Sequence, residues 1–111
     1  MTPGLRSLNS ASVRVASADG FPEEIRELSR ELLDLRSTDQ RKGDASALLK
    51  QVCAEADAWW ITLIVVARKY DDGMDDSQLL KWYEKFGFTL VQAEPPIMAR
   101  TPAVPVIQRI N

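Results

Sequence analysis

Apolar and polar residues change period several times along this chain, and each change marks an element. Ser12 to Ser17 (SVRVAS) alternates, which puts Val13 and Val15 on one face of a short strand. In Ala45 to Ala58 (ASALLKQVCAEADA), Leu48, Leu49, Val52, Cys53 and Ala56 fall at i, i+1, i+4, i+5 and i+8, the apolar face of a helix. Trp59 to Val66 (WWITLIVV) is an apolar run of β-branched and aromatic residues interrupted only by Thr62, so it reads as a strand covered on both sides. Helical spacing returns in Ser77 to Phe86 with Leu79, Leu80, Tyr83 and Phe86, and Asp75, Asp76 or Ser77 is available as its cap. Gly87 stands where a left-handed residue ends that helix, with Phe88 placed to fold back onto it. Phe88 to Ala93 and Ile97 to Thr101 follow as two strands, an expected antiparallel pair joined by Glu94-Pro95-Pro96.

The remaining segments are less regular. Residues 1 to 11 mix Pro, Gly, Ser and Asn without a period and read as an arm, and Ala18-Asp19-Gly20 reads as a turn. Pro22 to Leu35 carries two patterns. Pro22-Glu23-Glu24 opens a helix well and Ile25, Leu28, Leu32 and Leu35 keep a helical stripe, whereas Glu31 to Ser37 (ELLDLRS) also reads as a strand. With that strand in place, the polar loop Asp39 to Asp44, the helix and the Trp59 strand form a βαβ unit, which requires parallel strands. The tail, residues 102 to 111, lacks donors at Pro102 and Pro105 and is expected to be extended. Its Val104, Val106, Ile107 and Ile110 predict packing against this domain or, in preference, a neighbouring subunit.

Composition narrows the chemistry. The 111 residues make one domain, and 14 basic against 16 acidic side chains leave a net charge of −2, without the positive field that nucleic acid or an anionic membrane selects. The absence of His and the single Cys exclude His-based general bases, Ser-His-Asp and Cys-His nucleophiles, and ordinary zinc sites. Cys53, mid-helix on the apolar face, is expected to be inert and fits a reducing, cytoplasmic setting. The first twenty residues carry no apolar targeting stretch, and no run approaches the roughly 20 residues of a membrane span. Trp59, Trp60 and Trp82 are expected to serve packing or an interface. Asp71, Asp72, Asp75 and Asp76 lack the ligand spacing of a calcium loop and read as a solvated turn. Glu31 and Asp34 are carboxylates that nothing around them in the sequence singles out.

Three blocks carry a family resemblance. Gln40-Arg41-Lys42-Gly43-Asp44-Ala45, between a strand candidate and a helix, resembles the Q/R-x-x-G-x-G/A motif of the GNAT acetyltransferases; a Gly turn there exposes backbone N–H groups at the positive end of a helix, where a pyrophosphate fits. Leu79 to Phe88 (LLKWYEKFGF) resembles the family's L-x-x-F/W-Y-x-x-x-G-F block, and Pro96 to Arg100 is similar to the final strand of many members. The resemblance covers residues 31 to 101. It implies an α/β (α+β) fold, a twisted mixed sheet flanked by helices with a reduced N-terminal part, as one domain over residues 1 to 101. It implies acetyl-CoA as cofactor, its diphosphate on the amides of residues 41 to 45, with Gln40, Arg41, Lys42, Gly43, Asp44 and Ala45 forming the loop. It decides for a strand at Glu31 to Ser37, along which the pantetheine arm would lie nearest Leu35, Arg36 and Ser37. It makes Tyr83, a phenol protonated at neutral pH, the general acid for the departing thiolate.

Two departures matter. Only about thirty residues precede Glu31, so the acceptor side is expected to be short. Asp44 puts a carboxylate into an anion-binding loop, where at about 5 Å and an effective dielectric near 20 its repulsion reaches a few kcal/mol, although the same residue makes a good helix N-cap. Two functions follow. One is an N-acetyltransferase in which an unidentified amine attacks the thioester directly. The other is a catalytically silent GNAT-like structural protein, in the style of small bacteriophage proteins. It would be held in a homo-oligomer or larger assembly through the tail, in the cytoplasm or within a viral particle.

Overall fold

The computed structural model describes residues 1–38, 43–67 and 75–103. Strands β1 (Gly4–Leu8) and β2 (Ala11–Ser17) pair antiparallel with Leu8 opposite Ala11, so Asn9 and Ser10 are the whole connection. Asn9 takes φ 52°, the left-handed first residue that a tight hairpin needs. β1 corrects the expectation of an irregular arm over residues 1 to 11. Its inward position is filled by Arg6, which reaches Glu55 with two hydrogen bonds of 3.0 and 2.9 Å, while Leu5 on the other face is 70% exposed. At Leu5 and Arg6 the alternation is therefore inverted, although Leu8 on the inward face packs against the core, and hydrophobicity alone does not reveal the strand.

A single helical turn, α1 (Glu23–Arg26), is all that comes of the helical stripe after Pro22, and its Ile25 is exposed, as is Leu28. The chain then enters β3 (Ser29–Ser37), antiparallel to β2 and parallel to β4 (Thr62–Val66), with α2 (Asp44–Ala58) as the crossover. The expected strand at Glu31 and the βαβ unit are both present. Leu48, Leu49, Val52, Cys53 and Ala56 of α2 form one core with Val13, Val15, Leu32, Leu63 and Val65, which all point to the same face of the sheet.

The strand expected from Trp59 begins only at Thr62. Trp60 N–H bonds to Asp57 and Ile61 N–H to Ala56, the two bonds of a Schellman ending, with Trp60 itself left-handed at φ 59°. Both tryptophans are thereby turned outward, 62% and 50% exposed.

Helix α3 (Asp76–Glu84) opens on Asp75, whose carboxylate accepts Gln78 N–H at 2.8 Å while the Gln78 side chain accepts Asp75 N–H at 3.0 Å. It ends with the same motif as α2: Gly87, at φ 94°, bonds to Glu84 and Phe88 bonds to Tyr83. The Phe88 and Tyr83 rings meet edge to face at 5.4 Å, the apolar contact that accompanies such an ending.

Strands β5 (Thr89–Gln92) and β6 (Ile97–Arg100) are antiparallel as expected, and β6 pairs with β4. The result is a mixed six-stranded sheet in the order β1-β2-β3-β4-β6-β5, flanked by helices. Arg100 locks its far side: the guanidinium grips Asp57 at 2.8 and 3.0 Å and gives Nε–H to the Phe86 carbonyl at 2.7 Å. Ala103 N–H also ends on Asp57, at 2.9 Å; the expectation for the tail beyond it lies outside the described residues. No helix among the described residues is long and apolar enough to cross a membrane.

Candidate functional site

The seam between β3 and β4 is short. Ser29↔Thr62 through Leu32↔Val65 is its whole register, yet β3 runs on to Ser37. Beyond Val66 the chain follows β6, since Ala67 N–H bonds to the Pro96 carbonyl at 2.8 Å, while β3 stays with β2. The two parallel strands therefore part at their C-terminal ends.

Where they part, β3 is bulged. Ser12 pairs with Arg36 and Arg14 with Leu33, so Val13 faces two residues, Asp34 and Leu35, and Asp34 adopts φ 54°. A bulge bends a strand and re-aims its side chains. Leu35 here packs against the core, Arg36 is exposed near Asp34 at 3.6 Å, and Ser37 is half-buried.

The first turn of α2 lies beside this strand end. Gly43 is the N-cap residue at φ 69°, and a Cβ added there would meet no atom within 4 Å among the described residues. Asp44 is not the cap that its residue type suggests. It is the first helical residue, 7% exposed, and its carboxylate turns to the β1–β2 connection. Oδ2 accepts the Ser10 N–H at 3.1 Å and the Ser10 hydroxyl at 2.6 Å, and Oδ1 faces Asn9 Nδ2 at 3.5 Å. Ser37 Oγ lies 2.8 Å from Ser10 Oγ.

Of the residues singled out in the sequence, Leu35, Arg36 and Ser37 thus lie at the end of β3, with Gly43, Asp44 and Ala45 at the start of α2. Ser10 joins the two groups through Ser37 and Asp44. Gln40, Arg41 and Lys42 lie outside the described residues. Tyr83 is 5% exposed in the last turn of α3, its ring against Trp82 and Phe88 and within the core that Leu35 also touches. Sequence reasoning missed Ser10; the signal was Asn9-Ser10, a turn-forming pair between Leu8 and Ala11.

Electrostatics separate the carboxylates further. Burial pushes the Glu31 carboxyl above its ordinary range, on β3 opposite Ile64 and Ala16 and on the sheet face turned away from α2. Hydrogen bonds from Arg6 and Arg100 hold Glu55 and Asp57 below theirs, which marks both as fixed structural anions. Burial raises the Cys53 thiol to about 11, so the lone cysteine is protonated and unreactive at neutral pH. Among the described residues no group of three His, Cys, Asp or Glu side chains could hold a metal ion.

Neither a protein-family model nor a curated protein sequence matches the chain. Solved structures do. The crystal structure of the anti-CRISPR protein AcrVA5 aligns over 89% of this chain and 98% of its own, at 16% identity with a TM-score of 0.70. The ribosomal-protein-S18-alanine N-acetyltransferase from Escherichia coli aligns over 92% of this chain and 66% of its own (16% identity, TM-score 0.61). A GNAT family N-acetyltransferase from Escherichia coli (YhbS), in complex with CoA, aligns over 84% and 52% (12% identity, TM-score 0.61). The chain therefore spans nearly all of the anti-CRISPR protein but only half to two thirds of these two acetyltransferases. At such identities the likeness is one of fold, and the chain has the mixed, helix-flanked sheet of the GNAT acetyltransferases.

Proposed function

We propose that this chain is an acyl-CoA-dependent N-acetyltransferase. The observation that carries the reading is the parting of β3 from β4 after Leu32, with the N-terminus of α2 beside the end of β3. Such a gap leaves an edge of β3 for an extended ligand, and the helix start offers N–H groups and positive potential to a diphosphate. The fold it shares with a GNAT protein in complex with CoA supports the same assignment.

When bound, acetyl-CoA supplies an acyl group activated as a thioester. The main chain of Leu35, Arg36 and Ser37 would hold the pantetheine arm, and Gly43, Asp44 and Ala45 would offer their N–H groups to the diphosphate, with Gln40, Arg41 and Lys42 before them in the loop. Asp44 need not repel it strongly, because its carboxylate accepts from Ser10. The Tyr83 phenol would give its proton to the departing sulfur and the resulting phenolate would take back the proton shed by the amine nitrogen, so the proton count closes and no covalent enzyme intermediate is required. Positioning supplies most of the acceleration.

The acceptor amine belongs to a macromolecule in this reading. Two residues join β1 to β2, and Arg14, Ala16 and Glu31 look outward from the sheet face opposite α2, a polar sheet face for a macromolecular partner to cover. Calorimetric titration with acetyl-CoA tests the proposal: one-to-one binding is expected, and no heat together with no thermal shift at millimolar cofactor would overturn it.

A further inference from the structure

We propose that Ser10 is a positioning residue of the acyl-donor site, holding the first turn of α2 against the end of β3; the proposal rests on the acyl-CoA reading above. Among the described residues, the N–H, carbonyl and hydroxyl of Ser10 all reach the end of β3, the residue after it, or the first residue of α2. Its carbonyl accepts Thr38 N–H at 2.9 Å, its N–H goes to Asp44 Oδ2 at 3.1 Å, and its hydroxyl lies 2.6 Å from the same oxygen and 2.8 Å from the Ser37 hydroxyl. An ionised carboxylate only accepts, so the Ser10 hydroxyl donates to Asp44 and takes its own hydrogen bond from Ser37.

The consequence is geometric. The amides of Gly43 to Ala45 and the main chain of Leu35 to Ser37 belong to separate elements, and both must meet one ligand. Fixing them in the free protein removes an ordering cost from binding. Asp44 suits the task because a buried anion demands donors and the helix start favours its charge, whereas a neutral residue there would bind the turn less firmly.

Four variants with CoA itself as probe decide the matter. Ser10→Ala should weaken CoA binding about tenfold, the scale of one hydrogen bond to a charged group, and raise KM for acetyl-CoA equally while kcat stays within about twofold. Ser10→Thr, which keeps the hydroxyl, should restore both. Arg6→Met cuts the Glu55 pair that ties β1 to the last turn of the same helix; it should lower the melting temperature yet leave CoA affinity unchanged. Should Ser10→Ala not fold, Ser37→Ala takes its place with an expected loss of about threefold. Wild-type affinity in Ser10→Ala, or in Ser37→Ala when that stands in, overturns the proposal, as does an equal loss in Arg6→Met at equal melting temperature. A wild-type protein that binds no CoA overturns instead the acyl-CoA reading on which it rests.

Discussion

Ser10 gives both its backbone N–H and its hydroxyl to a single carboxylate oxygen of Asp44, at 3.1 and 2.6 Å. This bond pair reverses what Asp44 signifies in the sequence. A carboxylate in an anion loop suggests a damaged site, whereas one committed to a hairpin turn is a fastening. The two residues lie 34 positions apart, so no local pattern announces the contact.

Replacing Tyr83 with Phe separates chemistry from binding. The variant keeps the ring contacts with Trp82 and Phe88, so the fold and the affinity for acetyl-CoA should hold within about twofold. Loss of a general acid should lower kcat by about a hundredfold or more. Steady-state thiol release measures it, and an unchanged kcat would return Tyr83 to a packing role.

How much could be read in advance depended on whether a signal was local. The apolar face of α2, a capped start for α3 among Asp75, Asp76 and Ser77, its Gly87 end, and the β5–β6 pair were all legible, because spacing and capping chemistry act within a few residues; that Asp75 is the cap was decided by the structure. The strand at Glu31 was legible only through family resemblance, since Ile25 and Leu28 imitate a helical stripe that the structure leaves exposed. β1 was hidden because Arg6 fills an inward position. Trp59 and Trp60 looked like strand because their propensity is right, but a helix ending claims them first.

That ending makes an unusual prediction. Trp60 and Gly87 occupy equivalent left-handed positions, and an L side chain costs about 1–2 kcal/mol there. Gly87→Ala should therefore lower stability by about that amount, with Arg100 3.5 Å from the new methyl carbon adding no relief. Trp60→Gly should leave the melting temperature unchanged or raise it by a few degrees, since relieved strain offsets the added freedom of the unfolded chain. Denaturant titration of Gly87→Ala and thermal unfolding of Trp60→Gly measure the two effects.

Stability should fall in acid through Asp57. Its hydrogen bonds from Arg100 and Ala103 lower its pKa in the folded chain. The stabilisation is thus present above the ordinary carboxylate range and is lost as pH falls through the depressed value. Melting temperatures measured from pH 6 downward should decline, and Asp57→Asn should be less stable at pH 6 with a shallower decline.

Cys53 should resist thiol reagents in the folded protein at pH 8, because it is buried and its pKa is about 11. Labelling should become fast only in denaturant. Rapid modification of the native protein would contradict the packing of α2.

Hydrogen exchange read by mass spectrometry, with and without saturating acetyl-CoA, reports most directly on whether the cofactor lies where β3 and β4 part. The account predicts slowed exchange in two places, the amides of Leu33 to Ser37 and those of Gly43 to Ala45, with β1 and β5 unchanged. Binding that protects neither segment would contradict it.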